Sequence, residues 1–334
     1  MADLRTTITE VVTALGTLGA DHDDVDDALA RRPPELQNVD GDVWEQLTGA
    51  LHGPGRRALF HAAWCNGRAF LAARDALRGR RPDVVEWKGA HRAPGDEVVP
   101  ADIRIDHVYF VSCKYLSRIV MNASPAHLFD RLLAGGHGKR GGDWFAQVAP
   151  AEHARLYDAV KDAVDARLPR DVADLTATDR RTIAHALRGG WPDGATEHYD
   201  ALVARVAGES GRRWRDAIAH DAQRLLWRLL RIGSAPYYVL GVAIDDVLRL
   251  RIATPWDWRR QFELCDFSVA AGGGGQPVVR WRAIVRDRAK PDDELPVDGH
   301  VEVRWSHGRF GGPPEAKVYL DTPHRAVPGY FPLA

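Results

Sequence analysis

The sequence predicts an α/β protein of the α+β kind, in which helical stretches alternate along the chain with β-rich ones. The spacing of apolar residues predicts this class. Residues 1–80 and 151–232 repeat apolar side chains at helical intervals, whereas residues 84–111 alternate them at every second position. From Pro236 onward, further alternation predicts a C-terminal antiparallel β-rich region, either a sheet or a small barrel.

Composition limits the classes of protein that fit. The 334 residues are 45% hydrophobic, which is enough for a sizeable core. A formal net charge of -1 gives no overall basic character, so nucleic-acid binding would depend on a local patch. The three cysteines lie far apart and show no zinc-ligand spacing. The first twenty residues are too polar for a signal peptide, and no apolar run approaches about 18 residues, so we expect a cytoplasmic protein.

Residues 1–54 are predicted to form an N-terminal helical region. Ile8, Val11 and Leu15 recur at helical spacing in the first segment. A second, shorter helix is predicted to end before residues 53–55, because their Gly-Pro-Gly sequence breaks helices.

Residues 55–150 are predicted to form an α/β core. The sequence predicts a helix at 59–77, a strand at 84–87 and a hairpin at 103–111 that turns around Asp106 and His107. Ser124 and Pro125 are typical of the first residues of a helix, which is predicted over 126–133.

The rest of the chain divides into a helical region, 151–233, and a β-rich region, 234–334. Helices are predicted at 152–168, 178–187, 197–206 and 212–230. Strands are predicted at 237–244, 247–252, 262–269, 278–285, 301–305 and 316–320.

The segment from Asp102 to Lys114 carries the candidate chemistry. In the predicted hairpin, Asp102 faces the end of the second strand across the ladder. Ser112 and Lys114 are two residues apart, so they share one face of that strand. A carboxylate and an ammonium group that converge at a strand end can hold a divalent cation and a phosphate together.

The pattern of Asp102, nine intervening residues, Ser112, one residue and Lys114 resembles the core motif of the PD-(D/E)xK nuclease superfamily, which includes many restriction endonucleases. Pro100-Ala101-Asp102 stands where that family has Pro-Asp, with one residue inserted. Ser112 occupies the second acidic position, as Ser or Thr does in some branches of the family. The resemblance implies a restriction-endonuclease-like mixed sheet flanked by helices.

The resemblance also implies a Mg²⁺-dependent DNA endonuclease, used in restriction or phage defence, with Mn²⁺ as an alternative metal. Asp102 would bind the metal together with Glu86 on the preceding strand or Asp130 in the following helix. Lys114 would orient the attacking water or offset developing negative charge, and Ser112 would help to position water.

Residues after the motif are candidates for contact with nucleic acid. Arg118, Asn122 and Ser124 follow the metal-bearing strand, and Lys139 and Arg140 lie in a glycine-rich loop. For each there is a simpler interpretation: Ser124 as a plain helix N-cap, Arg118 as a surface charge, and the loop as solvated.

Two other interpretations stay open at this point. The chain could be a catalytically degenerate module with the nuclease fold, in which Ser112 marks the loss of the active site and which binds nucleic acid or a protein partner. It could also be an unrelated α+β protein whose Asp102 and Lys114 are structural. Many members of the superfamily are dimers, but nothing in the sequence identifies a dimer face.

Overall fold

The computed structural model describes residues 3–89, 100–133, 142–165, 167–243 and 246–334. Within these ranges the chain forms two units, each built from separate stretches of sequence. The first unit comprises Met1–Arg118, Arg231–Phe262 and Pro323–Ala334, and the second comprises Ile119–Leu230 and Glu263–Thr322. The four consecutive segments predicted from the sequence do not coincide with these units, because the chain leaves the first unit after Arg118 and re-enters it at Arg231.

The described elements confirm the α+β class. The helices are α1 (Leu4–Thr17), α2 (Val25–Arg31), α3 (Gly41–Leu51), α4 (Arg57–Ala72), α5 (Trp144–Val148), α6 (Pro150–Val164), α7 (Ala177–Ala186), α8 (Ala195–Leu229) and α9 (Pro255–Gln261). The strands are β1 (Leu36–Gln37), β2 (Val85–Trp87), β3 (Ile103–Ile105), β4 (Tyr109–Tyr115), β5 (Ile119–Ala123), β6 (Tyr237–Val242), β7 (Val247–Ile252), β8 (Phe262–Gly273), β9 (Pro277–Asp287), β10 (Lys290–Arg304), β11 (Glu315–Leu320) and β12 (Tyr330–Pro332). Among the described helices, none is long and apolar enough to cross a membrane.

The first unit is built on a mixed sheet with the strand order β1-β2-β3-β4-β6-β7-β12. β2, β3 and β4 are antiparallel neighbours, whereas β6 runs parallel to β4. One face of this sheet packs on α1 and α4 and buries, among others, Val85, Ile103 and Val111. Because side chains alternate along a strand, the residues between these point to the opposite face.

A close crossing of α1 and α4 supports that sheet. A Cβ atom added to Gly67 would lie 2.1 Å from the carbonyl oxygen of Thr13, and one added to Gly16 would lie 2.4 Å from that of Trp64. The two helices therefore approach so closely that only glycine fits at the crossing. Gly67 is therefore required by the packing of the two helices.

The second unit contains an antiparallel sheet with the order β5-β11-β10-β9-β8. Val279, Trp281 and Val301 are buried in this sheet, and α8 packs against β9. On α8, Trp214 donates an indole hydrogen bond of 3.1 Å to the carbonyl of Leu128.

Two sequence predictions about these elements are wrong. The β-rich region 234–334 is not one antiparallel sheet or barrel: β6 and β7 belong to the mixed sheet of the first unit, and β8 to β11 form the sheet of the second. The helices predicted at 197–206 and 212–230 are one run, interrupted instead at Asp221, whose φ of -157° and ψ of 81° are not helical. The Asp221 carboxylate accepts a hydrogen bond of 2.9 Å from the Arg224 amide and so caps the last part of the helix.

Candidate active site

The predicted hairpin is confirmed and brings Asp102 to Ser112. Asp106 and His107 form its turn with φ values of 48° and 61°, and Ile103 pairs with Val111, which places Asp102 directly opposite Ser112. We call the sheet face that carries Asp102, Ser112 and Lys114 the polar face.

Asp102 joins the ends of the two strands through its side chain. Its Oδ2 accepts a hydrogen bond of 2.7 Å from the backbone N–H of Cys113 and one of 3.2 Å from the Ser112 hydroxyl. Ser112 is only 2% exposed. The carboxylate therefore stabilises the hairpin as well as presenting negative charge on the polar face.

Lys114 lies on the polar face beside Gly241, its partner in the parallel pairing of β4 with β6. Gly241 leaves this position without a side chain, and a Cβ there would lie 2.0 Å from the carbonyl oxygen of Lys114. Burial lowers the pKa of Lys114, while the carboxylate of Asp102 raises it in part. The acid and the amine of the motif thus act on each other electrostatically on one side of the sheet.

Lys88 is a polar-face residue that the sequence analysis did not single out. Its backbone N–H donates a hydrogen bond of 2.8 Å to the carbonyl of Asp102, so it continues the row from Ser112 to the end of β2. The residue is only 5% exposed. The period-two rule applied from Glu86 to Lys88 could have identified it.

Glu86 shares the polar face but is held by a guanidinium group. Arg104 donates two hydrogen bonds to it, of 2.5 and 2.8 Å, in a bidentate pair. His107 Nδ1 lies 3.3 Å from the same carboxylate. The hydrogen bond from Arg104 is the main cause that lowers the pKa of Glu86.

A polar cavity of about 300 Å³ opens beside Lys114. Its lining residues come from α1 and from the end of β4: Asp3, Arg5, Thr6, Thr9, Glu10, Cys113, Lys114, Tyr115 and Ser117. Glu10 accepts a hydrogen bond of 2.7 Å from the indole of Trp87, and its charge raises the pKa of Lys114. No local pattern on α1 distinguishes Glu10 from a surface acid, so the sequence analysis missed it.

Three of the predicted residues lie in the second unit. Asp130 forms an ion pair with Arg213. The Asn122 amide donates a hydrogen bond of 3.4 Å to Glu315. The Ser124 hydroxyl accepts one of 3.3 Å from the His127 amide, as a helix N-cap does.

The other residues predicted to contact nucleic acid are Arg118, Lys139 and Arg140. Arg118 is exposed at the end of the first stretch of the first unit. Lys139 and Arg140 lie outside the described residues.

The site offers few of the oxygen ligands that a hard cation such as Mg²⁺ requires. In the part of the chain that the structure describes, no group of three or more His, Cys, Asp or Glu side chains could hold a metal ion. Mg²⁺, however, is commonly held by one or two carboxylates together with water and substrate phosphates. Asp102 on the polar face is a carboxylate that fits this limited requirement, whereas Glu10 lies on α1, against the opposite face of the sheet.

Comparisons of the chain with protein-family models, with curated proteins and with solved structures gave no match. The function is therefore inferred from the residues and their geometry.

Proposed function

We propose that this protein is a Mg²⁺-dependent DNA endonuclease with a restriction-endonuclease-like core in its first unit, acting in restriction or phage defence. The observation that carries the proposal is the location of Asp102, Ser112 and Lys114 on one face of a mixed sheet, with Asp102 and Ser112 in direct contact.

Each residue of the motif has a role that its environment supports. Asp102 would hold the metal ion together with water and oxygens of the substrate phosphate. A Mg²⁺ ion held there would supply Lewis-acid chemistry, which would polarise the phosphate and make a bound water a stronger nucleophile. Lys114 donates to the phosphate oxygens on which negative charge develops, and burial strengthens that interaction.

The other predicted metal ligands are weaker candidates on the same geometry. Glu86 would have to exchange its bidentate pair with Arg104 for the metal. Asp130 is already paired with Arg213. Lys88 adds a second buried ammonium group to the polar face, which favours an anionic substrate.

The test is incubation of the purified protein with plain and modified DNA, with Mg²⁺, with Mn²⁺ and with EDTA. We expect cleavage that needs the metal and that leaves phosphate-terminated fragments. The absence of cleavage from all of these DNAs in either metal would contradict the proposal.

A second candidate function is a degenerate nuclease module that binds nucleic acid without cutting it. The observation that favours it is the scarcity of carboxylates: Ser112 replaces an acid, and no three-ligand group lies among the described residues. Calorimetric titration with Mg²⁺ separates the two, since an active enzyme binds the ion through Asp102 and the Asp102→Asn variant does not. A degenerate module gives no such difference.

A further inference from the structure

Lys88 stands directly opposite Asp102 in the antiparallel ladder of the first unit. Trp87 pairs with Ile103, and the Lys88 N–H donates a hydrogen bond of 2.8 Å to the Asp102 carbonyl, so the pairing continues one position beyond the end of β2. Residues that face each other in such a pair have Cβ atoms about 4.5–5.5 Å apart. The register of the backbone therefore makes Lys88 and Asp102 neighbours.

A hydroxyl group completes a row of three polar side chains. Ser112 donates a hydrogen bond of 3.2 Å to the Asp102 carboxylate. Because neighbouring strands lie about 4.8 Å apart, Lys88 and Ser112 flank Asp102 at about 10 Å from each other. The row thus runs from ammonium to carboxylate to hydroxyl, and Lys114 follows two residues after Ser112 on β4.

The row is enclosed by the protein. Lys88 is 5% exposed and Ser112 is 2% exposed. A buried ammonium group needs an anionic partner, since desolvation of an unpaired charge is costly. In such surroundings the interaction between two charges is several times stronger than in water. Lys88 therefore carries its charge to a place where it can act strongly on a phosphate held at Asp102.

The remaining cation of these three strands is committed to a different carboxylate. Arg104 forms a bidentate pair with Glu86, with hydrogen bonds of 2.5 and 2.8 Å. The hydrogen bond from Arg104 is the main cause that lowers the pKa of Glu86, and the charge of Lys88 adds to it, which supports a location of the ammonium group on the polar face. Among the described residues of β2, β3 and β4 and their ends, Lys88 and Lys114 are thus the polar-face cations that can offset charge on a substrate.

We propose that Lys88 is a second catalytic lysine, which contacts a non-bridging oxygen of the cleaved phosphate on the side of Asp102 opposite Ser112. This inference rests on the proposed function. In the reaction, the water oxygen forms a bond to phosphorus while the bond to the ester oxygen breaks. One water proton ends on that ester oxygen, and the other stays with the new phosphate monoester. Lys88 gains and loses no proton: it donates a hydrogen bond that strengthens as negative charge develops on the phosphate.

The first test is single-turnover cleavage of DNA in Mg²⁺ by the wild type, Lys88→Met and Lys290→Met. Methionine keeps an unbranched apolar stem and lacks the charge. We expect folded Lys88→Met to be slower by about 100-fold or more, as is found when one donor to a developing oxyanion is lost. Lys290→Met is the matched control at an exposed position of the second unit and should match the wild type. Cleavage by folded Lys88→Met at the wild-type rate would overturn the proposal and leave the nuclease intact.

Calorimetric titration with Mg²⁺ separates contact with the phosphate from support of Asp102. We expect Lys88→Met to bind Mg²⁺ at least as tightly as the wild type, because a neighbouring positive charge is removed. A loss of Mg²⁺ affinity in step with the loss of cleavage would show that Lys88 acts only through Asp102, and would overturn the contact. If Lys88→Met does not fold, Lys88→Gln is judged by the same criteria.

DNA binding in EDTA gives a readout that does not need cleavage. Fluorescence anisotropy of a short labelled duplex, at several NaCl concentrations, should show a salt slope lower by about 1 in Lys88→Met, because one phosphate contact is lost. If the wild type cuts DNA, the cleavage and titration results decide. If it binds DNA and never cuts it, a lower slope would keep the phosphate contact and reject the nuclease. An unchanged slope in that case, or no binding by the wild type, would reject both.

Discussion

Asp102 has a structural role and a proposed metal-binding role. A substitution that tests the second role has to leave the first one intact. Its carboxylate closes the end of the hairpin through Ser112 and Cys113, and it is also the proposed metal ligand. Removing the whole side chain would leave the Cys113 amide without its acceptor, which costs about 1–3 kcal/mol. A loss of activity in Asp102→Ala would therefore be ambiguous.

The Asp102→Asn variant removes the charge and keeps one oxygen acceptor for the Cys113 amide. We expect cleavage to fall by at least about 100-fold, because even indirect partners of a metal commonly contribute 10- to 100-fold. The melting temperature should change little. Ser112→Ala is the control, with a loss of about 1 kcal/mol in stability and a smaller loss of activity. Wild-type cleavage by a folded Asp102→Asn protein would contradict the metal-binding role.

We expect His153 to make the stability of the second unit depend on pH. It is 1% exposed, neither ring nitrogen has a hydrogen-bond partner in the described chain, and its ring stacks on Phe310 at 5.5 Å. Burial lowers the pKa of His153 below its usual 6.5, and the charges of Asp143, Arg180 and Asp171 act on it more weakly.

Because the unfolded chain takes up a proton at this histidine before the folded chain does, stability should be full above about pH 6.5 and fall as the pH decreases. The His153→Phe variant should lose part of this dependence and keep the stacking with Phe310. Thermal unfolding between about pH 7.5 and 5.5 measures the difference. His185→Gln, at an exposed position of α7, is the control. An unchanged pH dependence in His153→Phe would contradict a lowered pKa of His153 in the folded chain.

At the scale of elements, the crossing of α1 and α4 supports the candidate site from behind, because both helices pack on the face of the sheet opposite the polar face. Gly67→Ala places a methyl group against the backbone of Thr13 and should destabilise the protein by about 2–4 kcal/mol. Gly49→Ala is the matched control on α3, where nothing lies within 4 Å, and it should stabilise by up to about 1 kcal/mol. Chemical denaturation measures both. Equal effects of the two substitutions would contradict the close crossing.

Local patterns predicted most elements and the contact between Asp102 and Ser112. The hairpin is a local structure, so its turn at Asp106 and His107 and its alternation fix the register. The partners of β6 and β7 could not be predicted in this way, because pairing with β4 joins residues more than 120 positions apart, such as Lys114 and Gly241. The same reason hides Glu10, which meets Trp87 only through the packing of α1 on the sheet.

At the scale of the whole molecule, each unit is built from separate stretches of the chain. Consecutive sequence segments therefore do not correspond to the units. The first unit is completed by residues 231–262 and 323–334, which follow the insertion of the second unit's stretches. Those re-entrant residues include β6, which pairs with β4 and places Gly241 beside Lys114, so the candidate site depends on a chain segment far from the motif.

The measurement that tests the central claim most directly is DNA cleavage by Lys114→Ala beside the wild type, in Mg²⁺ and in EDTA. We expect the wild type to cut only with the metal, and the folded variant to be slower by about 100-fold or more, because it lacks the donor that offsets charge on the phosphate. Lys290→Ala, at an exposed position of the second unit, should match the wild type. Cleavage by a folded Lys114→Ala protein at the wild-type rate would contradict the assignment of the active site.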